Sequence, residues 1–204
     1  MPPHRTDPDT PATDWHAQEL LLMREVMKLV GRSLAPASVL REMLHLMSEL
    51  LGLNRGRMVL ADEAVPGAER TASIRHAYGL TAEEAARGVF CWGEGITGRV
   101  LASGLPAIVQ DVDAEPLFLF RTVARSQLPP QTVAYIALPI EVNGATVGVL
   151  ACHRIRSRDR QLADDVAVLK ILATLAGQLL QLQALVAEKT QALEAKNRLL
   201  SRAL

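Results

Sequence analysis

The stretch TVAYIALPIEVNGATVGVLACH, Thr132–His153, decides the fold class. It reads as two long strands joined at Asn143-Gly144, a pair suited to a type I′ turn because both central residues must take positive φ. Val133, Tyr135, Ala137, Val142, Val147, Val149 and Ala151 supply apolar, mostly strand-favouring side chains on either side of the turn. Both strands are apolar along much of their length, which predicts a central hairpin covered by helices. Pro139 cannot donate to a ladder and is expected at a bulge or a locally unpaired position.

Outward from the hairpin, the chain alternates helical and strand patterns. Leu22, Val26 and Leu29, widened by Met23 and Met27, mark a helix over residues 15–34, with Asp14 as its cap. A second helix over 37–51 carries Val39, Leu40, Met43, Leu44, Met47 and Leu50 and ends at Gly52. Strands are expected at 57–60 and 71–77. Thr81 and Glu84 form a capping-box signature. A glycine-dense loop, Gly93-Glu94-Gly95-Ile96-Thr97-Gly98-Arg99-Val100, leads into a short helix ending at Gly104. A short strand follows at 106–109, then a long loop over 111–131 with three prolines and one helical turn. Loops of that length in compact domains are often functional.

From residue 162 onward one helical pattern runs without proline. Val168, Leu172, Leu175, Leu179, Leu182, Val186, Lys189, Leu193, Lys196 and Leu200 keep an unbroken four-three register, weakened at the two lysines. A helix this long exceeds what one small domain covers, so its end is expected to pair with another chain. The reading is one domain over 15–165, a disordered leader over 1–14, and a signalling or coiled-coil helix over 166–204.

Composition narrows the function classes. Lys plus Arg and Asp plus Glu both number 22, so the overall field favours neither nucleic acid nor a membrane surface. Cys91 and Cys152 give no disulfide framework and no metal quartet; they read as buried small hydrophobes. No secretory signal and no bilayer-length apolar run is read, so the expectation is a cytoplasmic protein. The glycine loop lacks the Lys-Ser or Lys-Thr of a phosphate-binding loop, and reads as a turn that lets Ile96 and Val100 reach the core. Arg99, Arg121 and Arg125 are candidates for a basic lining around a small dicarboxylate, the last two sharing a helix face after Phe118. The competing reading pairs these arginines with Asp111, Asp113 or Glu115. Arg154, Arg156, Arg158 and Arg160 read as a solvated connector.

Two sets of residues carry a family resemblance. Ala137-Leu138-Pro139-Ile140 and Val147-Gly148-Val149-Leu150 resemble the last core strands of GAF domains. The glycine loop, with Asp111-Val112 and then Glu115-Pro116-Leu117-Phe118-Leu119 and Arg121-Thr122, is similar to the amino-terminal GAF domain of NifA-type nitrogen-fixation activators, over about Glu19 to Arg154. The resemblance implies an α+β fold: a central antiparallel sheet of five to six strands flanked by helices, with long N- and C-terminal helices packing together. It implies a non-enzymatic regulator of transcription that binds a metabolite such as 2-oxoglutarate, responds to PII-type signal proteins, forms a homodimer, and controls AAA+ and DNA-binding domains not found in this chain. The ligand-binding set expected is Trp92, Glu94, Ile96, Thr97, Arg99, Asp111, Phe118, Arg121, Arg125 and Tyr135. The dimer interface expected is Leu22, Val26, Leu29, Leu172, Leu175, Leu179, Leu182 and Val186. Other GAF domains offer two alternatives, a non-haem-iron gas or redox sensor using Cys91, Asp111 and Asp113, and a thiol enzyme such as a free methionine sulfoxide reductase.

Overall fold

The computed structural model describes residues 13–32 and 35–202, with side chains to residue 198; the leader expected over 1–14 lies almost wholly outside them. The hairpin forms as β5, Val133–Val142, and β6, Ala145–Ile155. Asn143 and Gly144 take φ of 52° and 77°, the double positive turn that their short or absent side chains permit. Four further strands complete one antiparallel sheet: β1 Leu53–Ala61, β2 Thr71–Ala77, β3 Val89–Cys91 and β4 Ala107–Val109, in the order β3-β2-β1-β6-β5-β4. β4 pairs with β5 only at residues 135–137, so the outer side of β5 is open at Pro139, just before a bulge at Ile140/Glu141. A missing N–H costs nothing there.

The helices are α1 Trp15–Arg32, α2 Pro36–Leu51, α3 Ala82–Ala86, α4 Gly95–Ser103 and α5 Leu162–Arg202. Thr81 and Glu84 close the expected capping box on α3, and Gly52 ends α2 in the left-handed conformation. Strand alternation sends Ile136, Leu138, Ile140, Leu150 and Cys152 to one sheet face, where α1, α2 and α5 cover them. Val133, Tyr135, Ala137, Val149 and Ala151 go to the other, under α4 and the 111–131 loop. The continuous apolar run therefore reflects two covered faces, one by helices and one largely by loop.

Three expectations change. β1 begins four residues early, because the polar Asn54-Arg55-Gly56 segment is a bulge with Arg55 at φ 51° rather than a loop. β3 has only three residues and leaves no periodic signal. The helical turn in the long loop is a 3-10 turn at Arg125–Gln127, and Phe120 has φ 47°, so Arg121 and Arg125 do not share a helix face.

α5 seals the helical layer. Leu172 is fully buried, and Ala176 and Leu179 pack into the same core. Gly177 lies so close to β5 that a Cβ there would collide with the backbone carbonyl of Glu141. Leu22, Val26, Leu172 and Leu179 are thus taken up by the core of their own chain, and Leu29 and Leu175 pack against it; Leu182 and Val186 stay more than half exposed. The helix is continuous as expected, but the first half of its apolar stripe faces the sheet. By length and composition α5 also passes as a bilayer-spanning segment, contrary to the sequence expectation, although half of that stretch is buried against the sheet.

The arginine connector is likewise not solvated throughout. Arg154 and Arg160 are buried and both grip the carboxylate of Asp165, which is fully buried in the first turn of α5. Arg160 also reaches Glu19 of α1 at 2.8 Å, and both guanidinium groups lie over the Trp15 ring. This cluster joins α1, the end of β6 and the start of α5.

Candidate functional site

On the sheet face opposite α5, Arg57 of β1, Tyr135 of β5 and His153 of β6 come together beneath the loop segment Phe118–Val123 and beside Ile96 and Thr97 of α4. They enclose a cavity of about 20 Å³. That is room for roughly one water molecule. Phe118 packs edge-on against Tyr135, Phe120 and His153, so the loop closes over the site with aromatic rings.

The polar groups inside are short of partners. Arg57 is 3% exposed, and no carboxylate pairs with it among the described residues. Its Nη1 donates to the Arg55 carbonyl at 3.3 Å and lies 3.5 Å from His153 Nδ1, and its guanidinium stacks on Tyr135 at 5.0 Å. With Nδ1 facing a donor, the His153 proton belongs on Nε2. Arg57 Nε, His153 Nε2 and Thr122 Oγ1 are all buried without a hydrogen-bond partner among the described residues. The Arg57 guanidinium, the His153 N–H and the Thr122 hydroxyl are donors of the kind a carboxylate or similar anion accepts from. Thr97 and Tyr135 bond each other through their hydroxyls at 3.1 Å.

Burial, then the charges of Arg57 and Arg55, hold the His153 pKa well below its usual 6.5, so the ring is neutral in the native fold. The unfolded chain takes up that proton below about pH 6.5 while the native chain resists it, so this part of the stability is full above pH 6.5 and declines as pH falls. His76 is shifted in the same direction by its burial and by Arg41 and Arg75. Urea unfolding at pH 7.5 and 5.0 should show a drop in stability that is smaller, though not abolished, in His153→Leu.

A latch holds the loop down. Arg121 forms a two-pronged ion pair with Glu94, the residue before α4, and also donates to the carbonyl of Val89. Arg121 and then the Cys91 amide push the Glu94 pKa down to about 2.

Of the expected ligand set, Ile96, Thr97, Phe118, Arg121 and Tyr135 line the cavity. Glu94 sits behind it on Arg121, and Trp92 stacks instead with Arg70 at 4.1 Å. Arg99 is exposed on the outer side of α4, and Arg125 pairs with Asp113 at 2.6 Å, so the three-arginine lining does not form. Asp111 does not line the cavity; it accepts the Asp113 amide at 3.0 Å. Arg57 and His153 were not singled out from sequence. Their signal was phase: each stands two residues from an inward apolar neighbour, Arg57 before Val59 and His153 after Ala151.

Neither cysteine is poised as a nucleophile. Burial drives the Cys152 thiol up to about 12 on the helical side of the sheet, and burial with Glu69 and Glu94 raises Cys91. Among the described residues no three His, Cys, Asp or Glu side chains gather as a metal site, so Cys91, Asp111 and Asp113 do not make one.

The architecture is thus a six-stranded antiparallel sheet with a helical layer on one face and a loop-covered polar cavity on the other. Residues 35–180 match the GAF domain, and the chain belongs to that family. It is similar to the Nif-specific regulatory protein of Azospirillum brasilense (40% identity, 84% of this chain, 27% of the relative) and to that of Herbaspirillum seropedicae (34%, 91% and 34%). It is also similar to the nitrogen fixation protein VnfA of Azotobacter vinelandii, at 32% identity over 91% of this chain and 35% of the relative. The chain therefore spans about a quarter to a third of these regulators. Among solved structures, the GAF domain of A. aeolicus nlh2 in an inactive state superposes with a TM-score of 0.71 at 24% identity, covering 83% of this chain and 99% of that one. A free methionine-R-sulfoxide reductase from Neisseria meningitidis shares the fold at 0.64 and 19%, covering 83% and 92%.

Proposed function

We propose that this chain is the sensory domain of a cytoplasmic nitrogen-fixation transcriptional activator, non-enzymatic itself, which binds a carboxylate metabolite and passes its state along α5 to AAA+ and DNA-binding domains. The similarity to Nif and Vnf regulators supports the regulatory setting. The observation that carries the ligand class is Arg57, a buried guanidinium that, among the described residues, has no counter-ion and stands beside two more unpartnered polar atoms. Because the closed cavity holds about one water, a metabolite enters only when Phe118 and its loop lift, which loads the Glu94–Arg121 latch. PII-type proteins are the proposed signal partner. The test is calorimetry of the purified chain with 2-oxoglutarate, the effector the resemblance implies, and with simpler carboxylates; a failure of every one to bind would remove the ligand reading.

The second part of the proposal is a homodimer through the projecting end of α5. Leu182, Val186 and Leu193 lie on one exposed stripe at heptad spacing. Charges at Leu179 would disrupt the core of the domain itself, so the seam is tested beyond it. Leu182→Glu with Val186→Glu should convert dimers to monomers in light scattering, with the thermal unfolding of the domain core unchanged. A monomeric unsubstituted chain at micromolar concentration would contradict the dimer.

A further inference from the structure

Among the described residues no carboxylate lines the cavity beneath Phe118. The charged side chains around it are Arg57 and Arg121, and an adjoining groove that shares His153 with it adds Arg55. Two of these three cations are answered elsewhere: Arg121 by Glu94, and Arg55 by Glu84 at 3.4 Å and the Gln127 carbonyl at 2.9 Å. Arg57 alone has no counter-ion among the described residues, and its Nη1 stands 3.5 Å from His153 Nδ1. An anion that pairs with Arg57 at this end therefore also lies against the imidazole, within the ~4–6 Å at which an opposite charge favours the protonated ring.

Everything else that faces His153 is neutral or already matched. β5 brings the Tyr135 ring at 5.3 Å, its hydroxyl bonded to Thr97 of α4. The loop brings Phe118 at 5.9 Å and Thr122, and α2 lends Ser48 at the groove. The chain neighbours Cys152 and Arg154 lie on the helical side of the sheet, where Arg154 pairs with Asp165. His153 is 3% exposed, and burial with Arg57 and Arg55 keeps it neutral in the empty domain. Its Nδ1 then offers a lone pair to Arg57, at the outer limit of hydrogen-bond distance. A proton on Nδ1 would set two donors face to face, an arrangement that an acceptor shared between them relieves. A carboxylate oxygen is such an acceptor.

We propose that His153 is the second cation of this site: a carboxylate seated on Arg57 draws one proton onto the imidazole, and the complex holds the ligand between a guanidinium and an imidazolium. This rests on the carboxylate site proposed above. The proton comes from solvent, so binding is linked to pH, and affinity rises by up to about tenfold for each pH unit lost while the ring is protonated only in the complex. Carboxylate probes are themselves ionised throughout this range. The measurement is calorimetry of the purified chain with 2-oxoglutarate and with pyruvate at pH 8.0 and 6.0, and at pH 7.0 in two buffers of different heats of ionisation. Affinity should rise by about tenfold or more from pH 8.0 to 6.0, and the heats in the two buffers should differ by the uptake of a proton. His153→Gln keeps a donor but cannot take the proton, and should bind equally at both pH values. His76→Gln should keep the full pH dependence. Binding by the unsubstituted chain that is flat with pH and independent of buffer overturns the inference and leaves the carboxylate site standing. A pH dependence that survives in His153→Gln also overturns it, because the proton then goes elsewhere. If that variant does not fold, the His153 ring resonance of the unsubstituted chain decides: in the complex it should titrate at higher pH than in the free domain, and an unmoved titration overturns the inference. Absence of binding by both acids at every pH overturns this inference and the carboxylate site together.

Discussion

Asp165→Asn is expected to destabilise this protein by about 3–5 kcal/mol, the usual consequence of removing one partner from a buried ionic group. The carboxylate is fully buried and answers two buried guanidinium groups at once, Arg154 and Arg160. An amide of the same shape keeps one acceptor oxygen but no charge, leaving two cations with Glu19, itself partly exposed, as their remaining counter-ion. Among the described residues Trp15 Nε1, Arg154 Nη2 and Arg160 Nη2 have no hydrogen-bond partner, so the cluster has no slack to absorb the loss. For a chain of this size the change should lower the melting temperature by roughly 10 °C. Replacing all three charges together, Asp165→Leu with Arg154→Met and Arg160→Met, should recover much of that stability, because the cost arises from unpaired buried charge. Differential scanning calorimetry of the single and triple variants checks both statements; a single variant within 1 kcal/mol of the unsubstituted chain would show that solvent reaches the cluster.

Arg57→Met has the opposite signature. It removes a buried cation that lacks a counter-ion, so the empty domain should gain about 1 kcal/mol, the relief of desolvation exceeding the lost stacking on Tyr135. Carboxylate affinity should fall by roughly 10- to 150-fold in the same variant, since a charge-assisted pair contributes roughly 1.5–3 kcal/mol and Arg57 is the cation of the cavity without a carboxylate partner among the described residues. Gain of stability with loss of binding marks a residue kept for its ligand rather than for the fold. Chemical denaturation and calorimetry on one preparation measure both. A variant that loses stability and keeps affinity would make Arg57 a structural residue.

How much of this could be read from the chain is clearest residue by residue. Asn143-Gly144, the capping box at Thr81 and Glu84, and the stop at Gly52 were all legible, because each is a contract between residues at most a few positions apart. The two-faced hairpin was legible for the same reason: a strand alternates every two residues wherever it sits. Thr97, Phe118, Arg121 and Tyr135, expected together as a ligand set, do line one cavity.

Tertiary structure alone decided the rest. Arg57 and His153 are 96 positions apart, and only the pairing of β1 with β6 sets them side by side. The loop folds so that Arg121 meets Glu94 and Arg125 meets Asp113, which the four-residue spacing of the two arginines had placed on one helix face. In α5 the sequence determined the stripe but not its partner: the same register buries Leu172 against the sheet and exposes Val186, because the sheet ends partway along the helix. Periodicity tells a chain which side chains share a face. What that face meets depends on contacts closed across the whole fold, and those leave no local trace.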